Sequence, residues 1–248
     1  MIVCHEHRFI FVHLKRTSGR AITTALAPHL SPEDIVTPVH RTSDDGRPAV
    51  PGRNCAGIGR HASAREIRAR VGEQVWNDYF KFAIERNPWD KVLSRYWSYM
   101  KKEGHGYRDL VARFTGRDMG FEHWLRLRAW KGRLLGSKHY HLPNEFDLYT
   151  DERGELMLDY LGRLENRAEH LAEISERIGV PIETEVRVGT RTRRERERPY
   201  TEFFAKRWMR ELVERVFERD LALLGYRFGE PPPRTAIERA RASAGPHP

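Results

Sequence analysis

The sequence predicts an α/β fold, with a central parallel sheet flanked by helices. Three observations predict it. Two short strand-like runs, the continuous β-branched and aromatic 9–12 and the mainly apolar 80–84, each lead into a polar, cationic turn and then a helical pattern. A third apolar run, 157–162, is again followed by helical spacing. Strands alternating with helices are the signature of a parallel sheet covered on both faces, whose ligands sit at the carboxyl ends of strands.

Taken in order, residues 9–12 (Phe-Ile-Phe-Val) form the first buried strand. Thr17 or Ser18 is expected to cap the next helix, whose apolar stripe is Ala21, Ile22, Ala25 and Leu26 and whose end is set by Pro28. Residues 40–60, rich in Gly, Pro, Arg and Asp, read as a long surface loop. Ser63 and Glu66 then make a capping box for a short helix over 63–71. After the strand at 80–84, Asn87 caps a helix with Pro88 in its first turn. Trp89, Val92, Leu93, Tyr96, Trp97 and Met100 give that helix an aromatic-rich face. Residues 101–141 are expected to hold one or two helices, and 166–178 a helix ending at Gly179. A long amphipathic helix is expected over 201–224. The spacing gives one domain over 1–229 and a disordered Pro-rich tail over 230–248.

Composition narrows the class. The 248 residues, 39% of them apolar, suffice for one sizeable core. A net charge of +9, from 44 basic and 35 acidic residues, favours anionic partners without choosing among nucleotides, acidic glycans, nucleic acid or a membrane surface. Cys4 and Cys55 lie in no metal-ligand or CxxC spacing, which suits a reducing compartment. The start of the chain is too polar for a signal peptide, and no apolar run approaches the roughly 20 residues of a membrane span. A soluble, cytoplasmic protein without a transmembrane segment is expected.

The chemistry concentrates at the two cationic turns. A strand-turn-helix junction gathers backbone N–H groups and the positive end of a helix dipole, which together hold phosphate or sulfate. The first turn supplies Lys15, Arg16, the Thr17 and Ser18 hydroxyls, Gly19 and Arg20. It is neither G-x-x-x-x-G-K-[ST] nor G-x-G-x-x-G, and it lacks the magnesium-binding hydroxyl of the former. In the second turn Arg86 closes a buried strand, where an unpaired charge is costly. Ser94 lies seven residues beyond Asn87, two helical turns on and on the same side. Two such turns suggest a ligand that is anionic at two ends.

These residues resemble a known family. His13-Leu-Lys-Arg-Thr-Ser-Gly-Arg20 is similar to the 5′-phosphosulfate loop of sulfotransferases that use 3′-phosphoadenosine 5′-phosphosulfate (PAPS). Glu85-Arg-Asn-Pro-Trp-Asp-Lys-Val-Leu-Ser94 resembles their 3′-phosphate site, and Leu158-Asp-Tyr-Leu-Gly-Arg-Leu-Glu-Asn166 their strand ending in Gly-Arg-[FY]-Glu-[ND]. Asp220 and the closing Gly225-Tyr-Arg-Phe228 fit the subgroup of bacterial and carbohydrate enzymes. The likeness runs from about residue 8 to 228.

The resemblance implies a P-loop-like sulfotransferase architecture, with the first loop on the 5′-phosphosulfate and Arg86 and Ser94 on the 3′-phosphate. It implies sulfuryl transfer to a hydroxyl, on a carbohydrate or glycolipid, without a metal and without nucleic acid. Where the family has Pro-Lys, this chain has Lys15-Arg16, so either cation is a candidate to neutralise the leaving oxygen. Arg20 stands where a small hydroxyl residue is usual. His61, in Gly59-Arg-His-Ala-Ser63, is the candidate base, with His13 as a second histidine at the strand end. The stretch 126–141 is a candidate acceptor surface, and 191–198 a charge run of which one arginine is a candidate nucleotide contact. The alternatives are a nucleotide-binding phosphotransferase, a basic nucleic-acid-binding protein, and a sulfotransferase-like protein that binds nucleotide without turnover.

Overall fold

The computed structural model describes residues 1–40, 48–101, 119–135, 142, 144–182 and 198–239. Where the sequence suggests one domain over 1–229, the chain gathers into two compact units. The first comprises Met1–Arg86, Glu145–Gly189 and Arg234–Pro248, and the second Asn87–Asn144 and Thr190–Pro233.

The first unit contains a six-stranded mixed sheet. Its strands are β1 (Ile2–Cys4), β2 (Phe9–Phe11), β3 (Ile35–Val36), β4 (Phe80–Glu85), β5 (Tyr160–Arg163) and β6 (Ile237–Glu238), ordered β3-β1-β2-β4-β5-β6. The expected parallel sheet is therefore only its centre. β2 pairs parallel with β4, and β4 with β5. β1–β2, β1–β3 and β5–β6 are antiparallel. The flanking strands have two or three residues, too short to show a period in the sequence, and pairing alone creates them. β6 also corrects the tail: chain expected to be disordered after Gly229 returns as an edge strand, and residues 240–248 lie outside the described set.

Helix α1 (Gly19–Leu26) follows β2, and α2 (Ala64–Val71) and α3 (Glu73–Asp78) precede β4. Ser63 and Glu66 form the expected capping box, with the Ser63 side chain accepting from the Glu66 amide and Glu66 accepting from the Ser63 amide. Ile22 and Leu26 of α1 share one core with Phe9, Phe11, Phe82 and Ile84 of the sheet. Helix α7 (Arg167–Ile178) adds Leu171, Ile174 and Ile178 to that core and ends at Gly179, in the left-handed conformation as expected. A buried Lys81 on β4 is satisfied by Asp159 at 2.9 Å and by the carbonyls of Trp76 and Tyr79, so it is a structural charge.

In the second unit α4 (Pro88–Lys101) begins as predicted, with the Asn87 side chain accepting from the Trp89 amide at 3.1 Å. Its aromatic face meets α5 (Phe121–Leu135) through Tyr96 and Trp124, with ring centres 5.6 Å apart. Phe121 packs on Phe204 at 5.0 Å, and Trp89 on Phe228 at 5.4 Å. The helix expected over 201–224 is broken. Residues 200–202 form a single 3-10 turn, α8 spans Arg207–Val216 and α9 spans Glu218–Leu224. The break falls at Phe217, whose ψ of 23° leaves the helical range while its ring stays buried. A remaining short helix, α6 (Phe146–Tyr149), belongs to the first unit. Among the described residues no helix is long and apolar enough to cross a membrane.

Candidate functional site

β2 and β4 are neighbouring parallel strands, so the turns that follow them emerge side by side. The amide of Val12, at the end of β2, still bonds the Phe82 carbonyl of β4 at 2.9 Å. From there residues 13–18 turn into α1. Two of them, Arg16 (φ 67°) and Ser18 (φ 64°), hold the left-handed conformation without being glycine. Each such residue costs about 1–2 kcal/mol, so something must hold the loop in place.

Four residues do so. The Arg86 guanidinium donates to the Arg16 carbonyl at 3.3 Å. Glu145 accepts from the Lys15 amide at 2.6 Å and pairs with the Lys15 ammonium at 3.0 Å. The Thr17 hydroxyl donates to the Leu14 carbonyl at 3.0 Å. The buried His13 imidazole lies directly beneath Gly19, where a Cβ would stand 2.1 Å from its ring carbon.

The result leaves a run of donors without partners in the protein. Among the described residues the amides of Thr17, Ser18 and Gly19 make no hydrogen bond within the protein. Ser18 occupies the N-cap position but its side chain makes no cap bond, so the predicted cap is absent. Successive amides in such alternating conformations, at the head of a helix, form a concave anion site. The Lys15 amide does not contribute, because Glu145 takes it. Lys15 itself is half exposed, within reach of solvent and of Glu145.

His61 approaches the same loop. Its Nδ1 lies 2.7 Å from the His13 carbonyl, which can only accept, so Nδ1 carries the proton. Nε2 of the neutral ring is then the proton acceptor. The His61 and His13 rings meet edge to face, 4.8 Å between centres. Burial lowers the His61 pKa below the ordinary histidine value. The bond to His13 and the charge of Glu145 pull it up, while Lys15 pushes it down. His13 is more deeply buried and is held well below that value by desolvation first, with neighbouring positive charge adding to it. Its Nδ1 has no partner among the described residues. Arg20 turns away to the His40 carbonyl at 3.0 Å, and its charge, after burial, lowers the pKa of Arg60.

The first unit thus brings together Lys15, Arg16, Thr17, Ser18, Gly19, His61 and Arg86. Glu145 is the residue that sequence reasoning missed, because it lies 130 positions from its partner in no motif. Ser94 is buried on α4 in the second unit. Residues 191–197 of the charge run lie outside the described set, and Arg198 pairs with Glu202 at 2.8 Å on the surface. Residues 136–141 of the candidate acceptor stretch also lie outside it.

A stretch of 126 residues, half of this chain, is 32% identical to an uncharacterized protein of Archaeoglobus fulgidus and spans 88% of that protein. The chain belongs to the same family as that archaeal protein. No family model matches the chain, and no solved structure matches it.

Proposed function

We propose that the protein is a PAPS-dependent sulfotransferase, moving the sulfuryl group to a hydroxyl of a carbohydrate or glycolipid. The observation that carries this reading is the loop itself. Three consecutive unpaired amides at the head of α1 stand beside Lys15 and are braced by Arg86 from the adjacent parallel strand. A tetrahedral anion suits that site. Within the reading, the Thr17–Gly19 amides hold the 5′-phosphosulfate, and Lys15 or Arg16 neutralises the phosphate oxygen as the sulfur–oxygen bond breaks. His61 Nε2 takes the proton of the acceptor hydroxyl as its oxygen attacks sulfur. Positioning and electrostatics suffice for such a transfer, and no metal enters it. Arg86 keeps its expected role on the 3′-phosphate. The two free cysteines, Cys4 and Cys55, agree with a cytoplasmic setting for this enzyme.

A second reading has its own support. The Lys15 ammonium is already paired with Glu145, which favours a nucleotide-binding protein of slow turnover. Calorimetry with adenosine 3′,5′-bisphosphate in the absence of metal tests both. Wild type should bind, and Arg86→Ala should weaken binding at least about tenfold, the loss of one charge-assisted bond of about 1.5–3 kcal/mol. His61→Ala should bind normally and lose sulfuryl transfer; binding by wild type with no transfer to any hydroxyl acceptor favours the second reading. Absence of bisphosphate binding by wild type rejects both.

A further inference from the structure

In the second unit α5 and α8 leave a cavity of about 840 Å³ between their facing sides. His123, Arg126, Leu127 and Trp130 fall at i, i+3, i+4 and i+7 on α5, and Trp208, Leu212 and Arg215 at i, i+4 and i+7 on α8, so each set shares one helix face. The walls are apolar. Trp130, 59% exposed, is the large apolar side chain that the described residues leave most open to solvent. The volume falls in the range of small-molecule sites rather than of packing voids.

The charged side chains at this cavity, among the described residues, are both arginines, with His123 beside them. Arg126 lies over the Trp208 ring, 4.5 Å from its centre, fixed there by Glu122 at 3.0 Å. Arg215 forms no ion pair or hydrogen bond among the described residues. Among the described residues no carboxylate or amide side chain lines the cavity. A sugar needs acceptors for its hydroxyl protons as well as donors, and these walls offer mainly donors. The sequence suggested 126–141 as a surface for a sugar or an acidic acceptor; of the two, the chemistry of its described part suits the acidic kind.

We infer that this cavity binds a small amphipathic anion, with a flat or alkyl body between Trp130, Leu127 and Leu212 and a carboxylate, sulfate or sulfonate head on Arg215. The site is independent of the loop at residues 13–19 and of its proposed chemistry. A matched pair of dyes tests it: 1-anilinonaphthalene-8-sulfonate and the uncharged N-phenyl-1-naphthylamine, titrated by their own fluorescence against the full chain. One saturable site per chain is expected, with the neutral dye about two- to fivefold weaker, in line with one exposed ion pair. Arg215→Ala should abolish that preference and leave the neutral dye unchanged, while Trp130→Ala should weaken both. Both side chains are exposed, so circular dichroism and thermal unfolding should match wild type. Equal affinity for the two dyes, or no effect of either substitution, overturns the inference. So does dye binding that falls with rising protein concentration as dimers appear in sedimentation, which would assign the face to a second copy of the chain.

Discussion

Glu145 offers the sharpest test of how the loop works, and the perturbation is Glu145→Gln. Its carboxylate is almost wholly buried, with 2% of the side chain exposed, and its contacts include two separable ones to Lys15: one oxygen takes the amide, the other pairs with the ammonium at 3.0 Å. Glutamine is nearly isosteric and can keep the amide bond through its carbonyl oxygen, but it removes the counter-charge. At 3.0 Å the Coulomb attraction runs from about 1.4 kcal/mol under water-like screening to about 5.5 kcal/mol at an effective dielectric of 20. Lys15 is half exposed, which argues for the lower end. A working figure is about 1–2 kcal/mol, equivalent to about five- to thirtyfold in an equilibrium constant. On the proposed reading, an incoming anion shares Lys15 with Glu145 and is repelled by it. Glu145→Gln should therefore tighten adenosine 3′,5′-bisphosphate binding by that factor in calorimetry at low salt, with the gain shrinking at high salt. In a Lys15→Met background the gain should be largely lost. Weaker binding by Glu145→Gln, or a gain that persists without Lys15, would refute the idea that Glu145 restrains the lysine and would make it a scaffold for the loop backbone alone.

Two further outcomes follow from the same region and its surroundings. Gly19→Ala should lower stability by about 1–3 kcal/mol and impair anion binding, because its Cβ would stand 2.1 Å from the His13 ring; thermal unfolding and bisphosphate titration check this, and an unchanged midpoint would show that His13 yields easily. Stability should fall on acidification. His13 and His170 are buried and hold pKa values below the ordinary 6.5, so the unfolded chain protonates first. The stability they support is complete above about pH 6.5 and declines below it, by up to about 1.4 kcal/mol per pH unit for each histidine. Urea unfolding between pH 7.5 and 5.5 measures the slope, and a flat profile would mean that both rings find acid partners.

Much of the site's local grammar is legible in the chain. Phe9 to Phe11 announces itself as a buried strand because it lies in a continuous apolar run, and Phe80 to Ile84 because Phe80, Phe82, Ala83 and Ile84 lead straight into the polar turn at Arg86 and Asn87. The Ser63–Glu66 box and the Asn87-Pro88 start are local hydrogen-bond devices, so local sequence suffices to find them. The long helix at 201–224 fails for the opposite reason. Its periodicity is continuous, but at the buried Phe217 the backbone leaves the helical range, a change no local pattern in the sequence records.

By itself, then, the sequence determined the residue types that bear charge at each turn, the strands and helices that bracket them, and the histidine available near the first loop. Tertiary structure alone decided that the sheet is antiparallel toward both edges, that Arg86 reaches back to the Arg16 carbonyl, and that Glu145 claims Lys15 across 130 positions. The division has a physical cause. Periodicity and caps are written between residues one to seven positions apart, whereas strand order and ion pairing depend on which distant surfaces fold against each other, and no local pattern records that choice.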